Sequence, residues 1–126
     1  MTPTKTKTWK IYIVDDDDSV RKALGRLIRS ERLEFESFAS GEEFLTALPV
    51  GACGCAVMDI CMPGLTGHDV QKKLRSRGET IPVIALSAQD DNESRQRARE
   101  LGAVAFFRKP IDDQALLDAI HWAMQS

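Results

Sequence analysis

The residues best suited to chemistry are carboxylates that directly follow two apolar segments of the chain. Ile11 to Val14 is an apolar run that ends in four consecutive aspartates, Asp15 to Asp18. A second apolar run, Cys55 to Met58, ends in Asp59. Two carboxylates about 4 Å apart repel by roughly 4 kcal/mol at an effective dielectric constant near 20. Such a group needs solvent, a helix N-terminus or a cation to offset its charge.

Two further polar residues follow apolar runs of the same kind. Ser87 comes directly after Pro82 to Leu86, and Lys109 comes shortly after Val104 to Phe107. A hydroxyl and an ammonium are donors that suit phosphoryl oxygens, whereas carboxylates and phosphate oxygens are ligands that suit Mg²⁺. The combination is typical of a phosphoryl-transfer site with a carboxylate nucleophile. Its members would be Asp15, Asp16, Asp59, Ser87 and Lys109.

The elements that must position these residues alternate along the chain. Apolar or alternating runs at 11–14, 33–38, 55–58, 82–86 and 104–107 predict five strands. Segments with helical periodicity follow them, at 19–31, before Pro49, at 68–77, at 89–101 and at 112–124. This pattern favours an α/β fold, a (βα)5 doubly wound parallel sheet. We predict the flavodoxin-like strand order 2-1-3-4-5. Ligands of such sheets bind at the carboxyl ends of the strands.

The first predicted helix has a clear start and a clear apolar face. Asp18 or Ser19 is suited to be its N-cap, and Gly25 is expected to weaken it. The acids Asp17 and Asp18 suit a helix start, where the dipole favours negative charge. The residues expected on the buried face are Val20, Ala23, Leu24, Leu27 and Ile28.

Other helices carry signals of the same type. Ser40 and Glu43 have the spacing of a capping box, and Asp112 is the expected N-cap of the last helix. Residues 89–101 have a thin apolar face, which consists of Ala98 and Leu101. A helix held by so little apolar surface can shift at low cost.

Composition bounds the class of protein. The chain has 126 residues, 43% of them hydrophobic, which fits a single globular domain. A net charge of −2 gives no electrostatic case for direct nucleic-acid binding. No apolar run approaches the roughly 18 residues of a membrane span. Residues 1–8 are polar, lack the apolar core of a secretory signal, and are interpreted as a flexible tail.

The cysteine and histidine residues give little support for a metal or disulfide site. Three cysteines, an odd number, argue against a disulfide framework, and their spacing is poor for zinc. We expect buried, reduced thiols in a cytoplasmic protein. His68 and His121 are expected at the surface. The cysteines are Cys53, Cys55 and Cys61.

A set of short motifs in a fixed order supports a family resemblance. From Lys10 to Met124 the chain contains VDDD, MDICMPGLTG, ALSA, GAVAFF and RKP. In these it resembles the response-regulator receiver domains of two-component signalling. The chain is most similar to FixJ-like regulators, in which a receiver precedes a helix-turn-helix output domain. The segments that support this similarity are VRKAL, DICMPGLTGHDVQKKL and FRKPIDDQALLDAI. The expected organisation is a tail at 1–8 and a receiver at 9–126.

The resemblance implies a chemical role for each matching residue. Asp59 would be the phosphoacceptor for a sensor histidine kinase, Ser87 would bond one phosphoryl oxygen, and Lys109 would pair with another. The chain would not be an enzyme beyond its own phosphotransfer and autodephosphorylation. The implied ligands of Mg²⁺ are Asp15, Asp16, Asp59 and the backbone carbonyl of Cys61.

The resemblance also implies a conformational switch. Ser87 would move toward the phosphoryl group, and Phe106, at the family's aromatic switch position, would turn into the space left behind. The Lys109–Pro110 bond is usually cis in the family. FixJ-like receivers dimerise through the fourth helix and fifth strand when phosphorylated. Cys61 and Gln89 occupy places that influence the access of hydrolytic water.

Two other interpretations remain open on the residues alone, and a third is rejected. Asp16 to Val20 fits the DxDx[TV] motif of haloacid-dehalogenase-type phosphatases, in which Asp16 would be the nucleophile. A degenerate receiver would bind partners without phosphorylation, although all five expected site residues are present. A flavodoxin is disfavoured because the acidic loop would repel a flavin phosphate. Taken singly, each aspartate, Ser87 and Lys109 is more simply a cap, a loop residue or a solvated charge.

Overall fold

Five strands alternate with five helices in the computed structural model, which describes residues 9–89 and 91–125. The strands pair in parallel in the order β2-β1-β3-β4-β5, which confirms the predicted doubly wound sheet. The predicted tail at 1–8 lies outside the described residues. The strands are β1 Lys10–Val14, β2 Glu34–Phe38, β3 Gly54–Asp59, β4 Val83–Ser87 and β5 Ala103–Arg108. The helices are α1 Asp18–Ser30, α2 Gly41–Ala47, α3 Gly67–Ser76, α4 Asn92–Glu100 and α5 Asp113–Met124.

The register of the sheet brings the chemical residues to one edge. Val14 is paired with Met58, so Asp15 and Asp59 follow at the same level. Asp59 is paired with Leu86, the residue before Ser87. Ser87 is in turn paired with Arg108, the residue before Lys109. The carboxyl ends of four strands therefore present their polar side chains side by side.

The sheet separates the apolar core into two large clusters. β1, β3 and β4 are buried on both faces, as expected for central strands of a parallel sheet. The α2–α3 cluster lies on one face and contains Tyr12, Val14, Phe38, Phe44, Leu48, Ala56, Met58, Met62, Val70, Leu74, Ile81 and Val83. The α1–α5 cluster lies on the other and contains Ile11, Ile13, Leu24, Ile28, Cys55, Val57, Ile84, Leu86, Leu116, Ile120 and Ala123. A third, small cluster under α4 consists of Ile60, Ala85 and Ala98.

The start of α1 differs from the prediction by one residue. Asp17, not Asp18 or Ser19, is the N-cap, because its carboxylate accepts hydrogen bonds from the backbone N–H groups of Ser19 and Val20 at 2.9 and 3.3 Å. Asp17 has the extended backbone that an N-cap needs, while Asp18 is already helical. Asp17 and Asp18 do serve the helix start, as predicted.

The buried face of α1 matches the prediction except at one residue, Ala23. Ala23 is exposed, whereas Gly25 is buried. A Cβ atom on Gly25 would lie 2.9 Å from Cζ of Phe35, closer than side chains pack. The glycine therefore lets α1 approach β2, and its packing role outweighs its low helix propensity.

The helix caps show one partial box and one complete box. Ser40 accepts the N–H of Glu43 at 3.1 Å, but the Glu43 carboxylate bonds the Ser40 hydroxyl instead of the backbone. The complete capping box is at α3, where Thr66 and Asp69 bond each other reciprocally. Sequence reasoning missed it because aspartate replaces the usual glutamate or glutamine at this position. Asp112 caps α5, as predicted.

The cysteines differ in exposure. Cys55 is buried, Cys53 is half-buried and Cys61 is exposed, so the expectation of buried thiols is wrong for Cys61. All three are free thiols, and burial raises the pKa of Cys55 to about 12. His121 is exposed, whereas His68 is partly buried. Within the described part of the chain, no helix is long and apolar enough to cross a bilayer.

Candidate functional site

Three aspartates converge where β1 and β3 end. Asp15 is fully buried, Asp59 is 4% exposed, and Asp16 faces solvent. One carboxylate oxygen of each residue lies within 4.8 Å of the others. The first-strand and third-strand acids therefore form one cluster, as the sequence predicted.

Asp15 is held by contacts to three parts of the chain. Its backbone N–H donates to the carbonyl of Phe38 at 3.1 Å, which continues the β1–β2 ladder. Its Oδ1 accepts the N–H of Asp17 at 2.9 Å, and its Oδ2 accepts a hydrogen bond from Lys109 Nζ at 2.8 Å. The orientation of this buried carboxylate is thereby fixed.

Lys109 supplies positive charge to the acidic cluster. Its ammonium lies 2.8 Å from Asp15 Oδ2 and 3.6 Å from Asp59 Oδ2. Its backbone N–H donates to the carbonyl of Ser87 at 2.8 Å, and its bond to Pro110 is cis, as the resemblance implied. Burial alone would lower the pKa of Lys109, but the hydrogen bond to Asp15 and the charges of Asp59 and Asp15 raise it. The lysine is therefore a stable cation at this edge.

Asp59 lies in an environment that disfavours its charge. Burial and the neighbouring Asp15 charge raise the pKa of Asp59, while the N–H of Cys61 and the Lys109 ammonium act in the opposite direction. The Cys61 N–H donates to Asp59 Oδ1 at 3.2 Å. Burial is the largest cause of the raised pKa, and the Asp59 carboxylate shares one ammonium, that of Lys109, with Asp15.

Ser87 and Phe106 lie on the strands next to this cluster. Ser87 is 1% exposed, and its Oγ accepts the N–H of Gln89 at 3.1 Å. Phe106 is half-buried and packs against the small cluster under α4. The guanidinium carbon of Arg95, on α4, lies 5.0 Å from the centroid of the Phe106 ring. Ser87 and Phe106 therefore lie on neighbouring strands, and the Phe106 ring also contacts α4.

The donor set fits a hard divalent cation. Three carboxylates with oxygens close together are the ligands that Mg²⁺ uses, with its remaining positions taken by water or phosphate oxygens. Two of these carboxylates are buried and share one ammonium, so a divalent cation would offset the remaining negative charge. The residues therefore fit an acidic pocket for Mg²⁺.

Comparison with known proteins identifies the family. A model of the response regulator receiver domain matches residues 11–121. Response regulator protein TodT of Pseudomonas putida is 44% identical over 115 residues, which are 91% of this chain and 51% of TodT. The chain belongs to the response regulator receiver domain family. It spans about half the length of the curated relatives it matches.

Solved receiver structures share the architecture. Response regulator StyR superposes with a TM-score of 0.88 and 38% identity, over 94% of this chain and 60% of StyR. FixJ-N superposes with a TM-score of 0.87 and 29% identity, over 95% of this chain and 96% of FixJ-N. The predicted similarity to FixJ-like receivers is confirmed.

Sequence reasoning missed several contacts of this receiver site. The backbone N–H groups of Cys61 and Gln89 bond Asp59 and Ser87, and backbone donors carry no signal in the residue types. Arg21 was also missed, although its guanidinium donates to the carbonyl of Asp15 at 2.6 Å. Its position, four residues after the N-cap Asp17, could have revealed it, because such a residue lies above the first turn of the helix.

Proposed function

We propose that this receiver accepts a phosphoryl group on Asp59 from a sensor histidine kinase and that the change switches an output. One observation supports this most directly. The carboxylate of Asp59 shares the Lys109 ammonium with Asp15 inside a largely buried acidic cluster. A loop or capping aspartate has no need of that arrangement, whereas a phosphoacceptor does, because charge accumulates during phosphoryl transfer.

The phosphoryl transfer requires little acid–base catalysis from this chain. An oxygen of Asp59 forms a bond to phosphorus as the P–N bond of the phosphohistidine breaks. The electron pair of that bond returns to the imidazole nitrogen of the kinase, and the product is an acyl phosphate. Lys109 would pair with one phosphoryl oxygen and Ser87 would donate its hydroxyl to another.

Mg²⁺ would be held by the carboxylates of Asp15, Asp16 and Asp59 and by the backbone carbonyl of Cys61. When bound, it supplies charge neutralisation to the phosphoryl oxygens. The chain takes part in its own phosphorylation and autodephosphorylation and acts on no separate substrate. A cytoplasmic location belongs to the same proposal, because its three cysteines are free thiols.

The conformational switch would connect Ser87 to α4. Movement of the Ser87 hydroxyl toward the phosphoryl group would break its bond to the Gln89 N–H and leave space beside the small α4 cluster. Phe106 would turn into that space and lose its contact with Arg95. This is a shift of population between two conformations. The face formed by α4 and β5 would then mediate dimerisation and control a DNA-binding output domain, since this chain itself has no basic surplus.

Cys61 and Gln89 are proposed to affect the lifetime of the acyl phosphate. Both side chains are exposed and lie two residues beyond Asp59 and Ser87. Cys61 is small and orients water poorly, so hydrolytic water would be weakly organised there.

A phosphatase with Asp16 as nucleophile is the main rival for the chemistry. Asp16 is exposed, whereas Asp59 is buried beside Lys109, and the family membership favours Asp59. The two schemes predict different phosphorylated residues. Mass spectrometry of the trapped acyl phosphate separates them.

Asp59→Asn should abolish Mg²⁺-dependent labelling by a small acyl-phosphate donor, because the amide is not a nucleophile. The measurement is phosphoprotein formation with mapping of the modified residue. Asp118→Asn is the matched control, since Asp118 is an exposed acid of α5 that accepts a hydrogen bond from Gln114 and lies outside the acidic cluster. It should be labelled like the unsubstituted chain. Persistent labelling of Asp59→Asn, or modification at Asp16, would contradict the proposal.

A further inference from the structure

Arg21 joins helix α1 to the acidic loop that precedes it. Its Nη1 donates to the backbone carbonyl of Asp15 at 2.6 Å, and its Nη2 donates to Asp18 Oδ1 at 2.9 Å. The side chain is only 18% exposed, although it lies on a helix whose other basic residues are largely solvated. The guanidinium therefore folds back over the N-cap, Asp17, toward the end of β1.

The carbonyl that Arg21 holds belongs to the peptide unit between Asp15 and Asp16. A peptide unit is planar, so fixing its carbonyl fixes the direction in which the next residue leaves. The other polar atoms of Asp15 are held by Phe38, Asp17 and Lys109. These contacts act on the Asp15 N–H and carboxylate and on the Asp17 N–H, and Arg21 adds a bond to the carbonyl of the peptide unit that leads to Asp16. The orientation of that peptide unit helps to set the direction of the exposed Asp16 carboxylate.

We propose that Arg21 is a positioning residue for cation binding: by holding the Asp15 carbonyl it aligns the Asp15 and Asp16 carboxylates toward one Mg²⁺. The inference rests on the proposed function, since it assumes that the acidic cluster binds Mg²⁺. Arg21 acts through the backbone and contacts no phosphoryl group. Its planar fork suits this task because two donors engage two acceptors at once.

A purely electrostatic role for Arg21 makes the opposite prediction. A cation beside an acidic pocket repels Mg²⁺, so removing its charge would tighten Mg²⁺ binding. A positioning role predicts weaker binding, because the carboxylates lose their alignment. The direction of the change therefore distinguishes the two roles.

Lys22 is the matched control. It follows Arg21 on the same helix and also pairs with Asp18, at 3.0 Å. It is 71% exposed, and its ammonium pairs with the Asp18 carboxylate instead of the Asp15 carbonyl. Lys22→Met thus removes the same charge from the same helix turn while leaving the loop attached.

The test is calorimetric titration of the full chain with magnesium chloride at constant ionic strength. Arg21→Met should raise the dissociation constant by about 10-fold or more, as is typical for residues that orient metal ligands. Lys22→Met should stay within about twofold, because the field of an exposed charge is screened. Arg21→Lys keeps the charge but has one ammonium for two acceptors. Its dissociation constant for Mg²⁺ should lie between those of Arg21→Met and the unsubstituted chain.

A second measurement reports on the loop without the metal. Amide hydrogen exchange of residues 15–18 should be faster in Arg21→Met than in Lys22→Met, in the absence of Mg²⁺. Circular dichroism identifies any variant that is not folded, and Arg21→Lys then decides the question alone. Unchanged or tighter binding by the folded Arg21 variant overturns this inference and leaves the proposed function intact. Failure of the unsubstituted chain to bind Mg²⁺ overturns both.

Discussion

Asp69 shows how a single carboxylate fixes the start of a helix. Its Oδ2 accepts the N–H of Thr66 at 3.1 Å, while the Thr66 hydroxyl accepts the N–H of Asp69 at 3.2 Å. The backbone hydrogen bond from Thr66, and then that of its side chain, lower the pKa of Asp69 below the ordinary value of 3.8. A lowered pKa in the folded state means that the charged carboxylate stabilises the fold above pH 3.8. That stabilisation is lost as the pH falls through the folded-state pKa.

Asp69→Asn should therefore lower the free energy of unfolding at neutral pH, and its effect should be smaller at acidic pH. The expected loss at pH 7 is about 0.5 kcal/mol, the size of a carboxylate contribution at an exposed helix N-terminus. The difference from the unsubstituted chain should close as the pH falls below 3.8, measured by urea unfolding across a pH series.

Asp113→Asn is the control for this comparison. Asp113 is an exposed acid in the first turn of α5, a helix whose N-cap is Asp112. Its substitution measures how much an acid in the first turn stabilises a helix through the helix dipole when no capping box is present. If the Asp69→Asn difference were as large at pH 3 as at pH 7, the capping carboxylate would not be its source.

At the scale of elements, α4 depends on a side chain from another helix. Gln71 of α3 is 2% exposed, and its Nε2 donates to the carbonyl of Ala98 at 3.0 Å. The last carbonyls of a helix have no partner within it, and the N–H of Gly102 goes to Arg99 instead. Ala98 is also the buried residue of α4. One amide and one methyl group therefore help to hold α4 against the rest of the domain, together with the contact between Arg95 and Phe106.

Gln71→Leu should release α4, because it leaves the buried Ala98 carbonyl without a donor. An unsatisfied buried polar group costs about 1–3 kcal/mol, and part of that cost should appear as faster amide exchange in α4. The measurement is hydrogen exchange of the peptides that cover α4 and α3. Lys72→Met is the control, since Lys72 is the exposed neighbour on α3. Equal exchange of α4 in both variants would show that Gln71 does not anchor it.

The sequence predicted elements better than the contacts between them. The alternation of strands and helices and the thin face of α4 followed from periodicity, because apolar spacing reports which residues must be buried. The strand order followed from the rules on crossover connections. Gln71 could not be identified, since a polar residue in an amphipathic helix reads as solvent-facing and its partner is 27 residues away. The exposure of Ala23 and the burial of Gly25 were not predicted for a related reason. Burial there is decided by the Phe35 ring on β2, which periodicity within α1 does not contain.

At the scale of the whole molecule, the α4–β5 face is the candidate dimer surface. Val104 is 40% exposed on β5, and Arg95 and Arg99 of α4 line the same small hollow as Val104 and Phe106. Phosphorylation, or a stable mimic of it, should produce dimers in sedimentation experiments through this face.

Val104→Lys should prevent that dimerisation. The substitution replaces an apolar side chain beside Arg95 and Arg99 with a third positive charge, which the dimer interface would have to bury without a partner. Val50→Lys is the matched control, because Val50 is 92% exposed in the loop between α2 and β3. It should dimerise like the unsubstituted chain. Dimers of Val104→Lys as strong as those of Val50→Lys would place the interface elsewhere.

The division of the core by the sheet has a consequence for how this chain can change over time. The α2–α3 cluster and the α1–α5 cluster contact opposite faces of the same strands and share no side chains. Substitutions more than about 7–10 Å apart that share no partners usually have additive costs. Compensating mutations should therefore arise mainly in pairs on one side of the sheet. The helices on one face can then be repacked with little change in the side-chain contacts on the opposite face.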